Sequence, residues 1–216
     1  MTPNPASIPV LHGFRPSVYV RAARLTLAEK GVLYELAEVN PFAPDVSADY
    51  RRLHPFKRVP TLVHDGFTLY ETGAITRYVD RAFAGPPLQP TALRTLARQD
   101  QILGMVDSYI YWPLVRQVFV HAVARPARGE TGDAAEIAAG LAAAGPALAA
   151  LEALAVDDAF LVGPGLCLAD LHLLPMIAYF AQAPEGAARL ARHARLQAWW
   201  TRMAARPSFG ATDPHL

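Results

Sequence analysis

The chain holds a single cysteine, Cys167, among 216 residues. An intramolecular disulfide is therefore excluded, and a lone thiol suits a reducing compartment. Net charge is nearly absent as well, with 20 basic against 19 acidic side chains for a balance of +1. Nucleic acid as the main partner needs a clustered basic face; the nearest approach, Arg189, Arg192 and Arg195 at helical spacing, reads as a solvated helix face. No apolar run reads as a membrane span, because the alanine-rich stretch from Ala134 to Ala155 is broken by Glu136, Gly140, Gly145, Pro146 and Glu152. Met1 to Ser7 is proline-rich without an apolar signal core, so it reads as a disordered extension and no export signal is expected. His12, His54, His64, His121 and His172 lack paired ligand spacing, and no metal is expected. Gly163-Pro164-Gly165 is a turn, not a phosphate loop. With 52% hydrophobic residues the chain can bury a core, and its length suits one or two domains. A soluble cytoplasmic protein is expected.

What the chain does have is a proline at the mouth of a strand. In Val59-Pro60-Thr61-Leu62-Val63, Pro60 donates no backbone hydrogen bond and belongs at a strand start. A cis Val59–Pro60 bond there turns the chain sharply. The turned Val59 leaves its N–H and C=O free to pair with an extended ligand as though it were an added strand. Glu71-Thr72 then opens a helix, whose free N–H groups and dipole suit a carboxylate. A peptide-like ligand with an anionic end satisfies both features.

The pattern around these residues is mixed. Ile8 to Gly13 reads as a strand, Val18 to Gly31 as a helix stopped by glycine, and Leu33 to Val39 as a second strand. A proline-broken loop through Pro41 and Pro44 follows, with an irregular helical stretch near Asp49 to Leu53. Thr61–His64 and Phe67–Tyr70 form a hairpin about Asp65-Gly66, and a helix runs from Thr72 to about Phe83. A βαβ unit followed by a hairpin and a helix makes a thioredoxin-like domain over 8–83. Breakers concentrate in a linker at 84–90, after which strand patterns disappear. Helices are expected from Thr91 to Val123, kinked or broken near Tyr111-Trp112 by Pro113, then over Ala134 to Ala155, Leu168 to Ala183 and Arg189 to Ala205. The class is α/β plus all-α, with an all-helical second domain over 91–216.

Four blocks carry a family resemblance. His54-Pro55-Phe56-Lys57-Arg58-Val59-Pro60-Thr61-Leu62 resembles the Asn-Pro-Phe-Gly-Gln-Val-Pro-Ala-Leu block of cytosolic glutathione S-transferases, especially the phi and beta-like bacterial groups. Leu69-Tyr70-Glu71-Thr72-Gly73-Ala74-Ile75-Thr76-Arg77-Tyr78 is similar to their Leu-x-Glu-Ser-x-Ala-Ile-x-x-Tyr block. Phe160-Leu161-Val162-Gly163 with Leu168-Ala169-Asp170-Leu171, and Ala198-Trp199-Trp200 with Ala205-Arg206-Pro207, resemble the second-domain signatures. The resemblance runs from about Ile8 to Phe209. It implies the glutathione transferase fold, glutathione as co-substrate, a small hydrophobic electrophile as second substrate, and a homodimer.

Ser17 stands between Pro16 and the first helix. A thiol of pKa near 8.5 becomes a useful nucleophile as the thiolate, and lowering it by about two units takes about 3 kcal/mol. A charge-assisted hydrogen bond of about 1.5–3 kcal/mol plus a helix dipole of up to about 1 kcal/mol meets that. On the residues alone Ser17 reads equally as a plain N-cap. The resemblance implies the catalytic serine, because Ser17 precedes Arg21 by the phi-like interval; Tyr19 is the second candidate. It also implies that Val59 pairs backbone to backbone with the cysteinyl part of glutathione. Glu71 takes the ammonium, and the Thr72 hydroxyl and N–H take the γ-glutamyl carboxylate. A first-turn charge and a cap are the plain readings of Glu71 and Thr72. Where the family has Gln and Gly, this chain has Arg58 and Lys57, and its usual His-Lys pair falls at Asp45 and Val46; Arg58 is thus the candidate for the glycyl carboxylate.

The electrophile pocket is expected to use Phe14, Tyr109, Trp112 and Arg116, although core packing explains Tyr109 and Trp112 equally. Phe56 is either an aromatic key for a partner subunit or a core residue. Asp170 is expected to stabilise the fold, with Cys167 as a poor helix cap. A glutathione or hydrophobic-ligand carrier without turnover, and a specialised glutathione-dependent isomerase or dehalogenase, are the alternatives to a conjugating transferase.

Overall fold

The computed structural model describes residues 7–214, so the expected N-terminal extension lies outside the described residues except for Ser7. The described chain divides into two compact units, one running to Gln89 and resuming at Pro207, the other spanning Pro90–Arg206.

The first unit orders its elements as β1 (Val10–Gly13), α1 (Val18–Glu29), β2 (Glu35–Glu38), α2 (Ala48–Leu53), β3 (Thr61–His64), β4 (Phe67–Tyr70) and α3 (Thr72–Ala82). The sheet order is β2-β1-β3-β4, with β1 and β2 parallel and the other pairs antiparallel. This is the thioredoxin-like arrangement expected from the βαβ-hairpin-helix pattern. Asp65 and Gly66 both have positive φ, 51° and 76°, as a two-residue hairpin turn demands. Leu11 and Leu62 from the sheet meet Val20, Ala23 and Leu27 of α1 and Ile75 and Val79 of α3 in one buried core. Gly13 has no room for a side chain: an added Cβ would stand 2.6 Å from Val20, so glycine there lets α1 approach the sheet.

Lys30 and Asp80 form a buried ion pair at 3.2 Å. Asp80 also accepts from the Leu88 N–H and the Gln89 amide, while Lys30 donates to the Pro86 carbonyl. These bonds fasten the proline-rich linker onto the first unit.

The second unit begins with α4 (Leu93–Met105), which continues as π-helix over Val106–Ile110 and Trp112–Ala124 and ends in α5 (Arg125–Ala127). Its hydrogen bonds there span five residues, as from Tyr111 to Val106. Pro113 was expected to kink or break this helix near Tyr111-Trp112. The departure from α geometry starts earlier, at Val106, and widens the turns around a residue that has no N–H to donate. α6 (Ala134–Leu154) and α7 (Leu168–Phe180) follow, and every residue of α7 is buried. α6 is long and apolar enough, by length and composition, to cross a membrane. That differs from the sequence reading, because its many alanines keep mean hydropathy high through the interruptions. Gly140, Ala144, Leu148 and Leu151 of α6 are nevertheless buried within the unit.

The single helix expected from Arg189 to Ala205 is two, α8 (Pro184–Leu190) and α9 (Ala194–Ala204). The break has a tertiary cause: the Glu152 carboxylate on α6 accepts the N–H groups of Arg195 and Leu196, at 3.0 Å each, and caps α9 from outside. Arg189, Arg192 and Arg195 therefore do not share one helix face. The helical domain was expected to run to residue 216. Instead α10 (Pro207–Ala211) belongs to the first unit, where Arg21 and Arg24 of α1 donate to the carbonyls of Phe209 and Thr212 at 2.9 and 3.1 Å.

Asp170, buried at the start of α7, accepts from the N–H groups of Cys167 and Leu161 and from the Trp199 indole. Burial pushes its carboxyl up from the ordinary value against these bonds. Cys167 is buried, and burial with the neighbouring Asp170 pushes its thiol far up, which leaves it unreactive.

Candidate functional site

Strand register gathers three chain breaks of the first unit at one end of its sheet. His12 pairs with Thr61 and Thr61 with Tyr70, so the end of β1, the start of β3 and the end of β4 stand in a row. Ser17 follows the first, Val59 precedes the second and Glu71 follows the third. Neighbouring strands lie about 4.8 Å apart, so the row spans about 10 Å, the length of three extended residues.

Ser17 is the N-cap of α1, in extended backbone conformation, and its hydroxyl oxygen accepts the Val20 N–H at 3.4 Å. That bond uses a lone pair and leaves the hydroxyl hydrogen available for donation. The turn leading into it is closed by the Ser17 N–H on the Phe14 carbonyl at 2.8 Å, and Arg15 pairs with Glu38 at 3.4 Å. α1 has no acidic residue of its own in the first turn to offset the positive end of its dipole.

Val59 precedes a cis peptide bond to Pro60, as expected. Its N–H and carbonyl take no partner among the described residues. The loop before it is held from below: the Tyr50 hydroxyl donates to the Arg58 carbonyl at 2.5 Å and meets the Thr61 hydroxyl at 3.1 Å. Burial raises the Tyr50 hydroxyl above its ordinary value, so it remains protonated as a donor. Lys57 and Arg58 are exposed, Lys57 with φ 53°.

Glu71 has φ 69°, an uncommon conformation for a residue with a Cβ, at the entrance to α3. Its carbonyl accepts the N–H groups of Ala74 and Ile75, while those of Thr72 and Gly73 have no partner among the described residues. No side chain caps this helix. An exposed carboxylate thus stands beside two free N–H groups and the largely buried Thr72.

His54 lies under the loop, only 2% exposed, with its ring 4.8 Å from that of Tyr70 and flanked by Phe56 and Tyr50. Its Nδ1 has no partner. Burial pushes the imidazole below its ordinary value; Glu71 pulls it up and Arg58 pushes it further down. Neither Tyr50 nor His54 was singled out from sequence as support for this loop. Their role depends on α2 folding back under β3, which no local pattern encodes.

Among the expected residues, Ser17, Val59, Glu71 and Thr72 all stand at this sheet end, and Arg58 adjoins Val59. Asp45 is exposed in the loop before α2. Phe14 is half-buried, its ring edge-on to Phe42 at 6.2 Å. In the second unit, Tyr109 and Trp112 are 66% and 59% exposed, which excludes core packing for both, and Arg116 is half-buried. Phe56 is 67% exposed, so the core reading fails for it too. Among the described residues, no three His, Cys, Asp or Glu side chains gather as for a metal ion.

Residues 11–87 match the family model described as glutathione S-transferase, N-terminal domain, and residues 110–207 match the C-terminal domain model. The chain is 29% identical to glutathione S-transferase F13 of Arabidopsis thaliana over 95% of each protein. It is 38% identical to the stringent starvation protein A homolog of Haemophilus ducreyi, over 40% of each. Among solved structures it is similar to a theta class glutathione S-transferase of Xanthomonas axonopodis pv. citri with glutathione bound, at 29% identity and a TM-score of 0.78, covering 95% of this chain and 97% of the other.

Proposed function

The chain belongs to the glutathione S-transferase family, and on that premise we propose that it is a glutathione transferase of the serine type, conjugating glutathione to small hydrophobic electrophiles. The observation that carries this reading is the Ser17 hydroxyl, fixed as acceptor by the Val20 N–H at 3.4 Å with its hydrogen still to give. Glutathione lies along the sheet end as an added strand. Its cysteinyl backbone pairs with Val59, its γ-glutamyl carboxylate takes the N–H groups of Thr72 and Gly73 with the Thr72 hydroxyl, and its ammonium takes Glu71. The register supports this reading, since a row of about 10 Å fits a tripeptide. Arg58 takes the glycyl carboxylate.

The thiol loses its proton to solvent, and the sulfur anion is held by the Ser17 O–H and the α1 N-terminus. About 3 kcal/mol of preference for the anion shifts a thiol by about two units, within reach of one charge-assisted hydrogen bond and a helix dipole. The sulfur then attacks an electrophilic carbon. An S–C bond forms while the bond to the leaving group breaks and its electron pair departs with that group. Phe14, whose carbonyl takes the Ser17 N–H, is the contact we propose for the hydrophobic substrate on the first unit; Tyr109, Trp112 and Arg116 are the candidates we propose within the second.

The homodimer, with exposed Phe56 as the projecting aromatic, and a cytoplasmic location belong to the same proposal. Size measurement of wild type and Phe56→Ser checks the first: wild type runs as a dimer and the variant shifts toward monomer.

Conjugation of a chlorinated nitrobenzene by wild type and Ser17→Ala tests the chemistry. Turnover in wild type and a fall of at least tenfold in Ser17→Ala support the assignment. Equal turnover in both removes Ser17 from the mechanism. Glutathione binding without turnover on a broad electrophile panel favours a carrier.

A further inference from the structure

The loop before β3 carries two cations side by side, Lys57 and Arg58, both exposed. Neither side chain makes an ion pair or hydrogen bond among the described residues. The acids of the preceding stretch do not offset them: Asp49 pairs with Arg52, and no ion pair joins Asp45 to either cation among the described residues. Lys57 also has φ 53°, a left-handed conformation that glycine takes freely and a residue with a Cβ does not. A lysine is thus kept where the backbone favours no side chain at all. Arg58 is fixed from below, its carbonyl held by the Tyr50 hydroxyl at 2.5 Å.

Strand register sets which part of a bound peptide meets these cations. Thr61 pairs with Tyr70, so Glu71 stands level with Pro60. A peptide whose cysteine pairs with Val59 and whose γ-glutamyl end lies at Glu71 and Thr72 therefore runs antiparallel to the loop. Its next residue comes level with Arg58, and a group about 3.3 Å further on comes level with Lys57. Glutathione ends there in a single carboxylate, which leaves one of the two cations without a partner. We propose that Lys57 and Arg58 together read two carboxylates beyond the cysteine, so that the thiol this site prefers is a γ-glutamylcysteinyl peptide whose third residue is acidic. The α-carboxylate of that residue meets Arg58, and its side-chain carboxylate meets Lys57. The inference deepens the glutathione reading and rests on it, in the pairing of the cysteinyl backbone with Val59 and of Arg58 with the terminal carboxylate. Both cations are exposed, so the preference is modest and screened by salt.

Calorimetry at low salt compares glutathione, γ-Glu-Cys-Glu and γ-Glu-Cys-Gln, the last two nearly equal in size and different by one charge. Wild type is expected to bind γ-Glu-Cys-Glu about threefold to fivefold more tightly than γ-Glu-Cys-Gln, as an exposed ion pair allows. Salt at about 0.5 M shrinks that ratio. Lys57→Gln and Lys57→Gly each bring it close to one. The ratio is the readout, so a disordered loop that weakens both peptides alike does not move it. A wild-type ratio below about twofold overturns the inference, as does a ratio that survives in either Lys57 variant. Arg58→Gln is expected to weaken glutathione itself by about threefold. Unchanged glutathione binding in Arg58→Gln, or none measurable in wild type, overturns the underlying site assignment. Weakened binding in Arg58→Gln beside equal affinity of wild type for the two acidic and neutral peptides overturns only the second carboxylate.

Discussion

The Trp199 indole donates to the Asp170 carboxylate at 2.8 Å, tying the start of α7 to the middle of α9 inside the second unit. Two backbone N–H groups, of Leu161 and Cys167, share the same carboxylate at 2.9 Å. One buried acid therefore fixes a loop, a helix start and a neighbouring helix.

Asp170→Ala strands three buried donors, each costing about 1 kcal/mol or more. The expected loss is about 3–5 kcal/mol, or about 10 °C in melting temperature for a chain of this size. Glutathione affinity of the remaining folded protein is unchanged by calorimetry. A selective loss of affinity at unchanged melting temperature contradicts this structural role.

Asp80→Ala leaves the buried Lys30 ammonium without its carboxylate and frees Leu88 and Gln89 of the linker. Breaking one side of a buried pair costs about 3–5 kcal/mol. Glu130→Ala, which breaks exposed pairs with Arg125 and Arg128, moves the urea midpoint little. Equal midpoints for the two variants would refute the ranking.

Tyr50→Phe removes the hydroxyl that donates to the Arg58 carbonyl and meets Thr61. The loop carrying Val59 loses about 1 kcal/mol of support. Glutathione binding is expected to weaken by about fivefold, read as KM or by calorimetry, while melting temperature falls by only a few degrees. An unchanged KM would show that the loop holds its shape without this bond.

Acidification weakens the first unit through two histidines. Burial lowers both His54 and His12 from the ordinary 6.5, so the folded protein refuses protons that the unfolded chain accepts. Stability is full above about pH 6.5 and falls as pH drops below it toward the lowered folded values. Urea midpoints at about pH 7.5 and about pH 5.5 should differ in that direction, and His54→Asn should narrow the gap. A gap unchanged by His54→Asn assigns the loss to other groups.

Much of the first unit was legible before any coordinates. Alternation and turn residues marked β1, β3 and β4, glycine stopped α1, and Asp65-Gly66 turned the hairpin, because each signal acts over two to four neighbouring residues. Pro60, Glu71 and Thr72 were legible for the same reason: a proline at a strand mouth and a glutamate followed by a threonine at a helix start constrain their own backbone. The break between α8 and α9 was not legible, since the group that caps α9 is Glu152, 43 residues before Arg195. The exposure of Phe56, Tyr109 and Trp112 was undecided for a related reason, as an aromatic in a helix or loop is chemically suited to core or surface.

Local sequence by itself determined which segments become strands and helices and which breaks between them carry a serine, a proline and an acidic helix start. Only the tertiary structure decided that these breaks share one end of the sheet, that Tyr50 and His54 lie beneath the loop, and that the helix Pro207–Ala211 returns to α1. The reason is physical. Backbone preferences are set by neighbours a few residues away, whereas register, burial and the fate of a buried charge depend on residues brought together across the chain when apolar faces collapse.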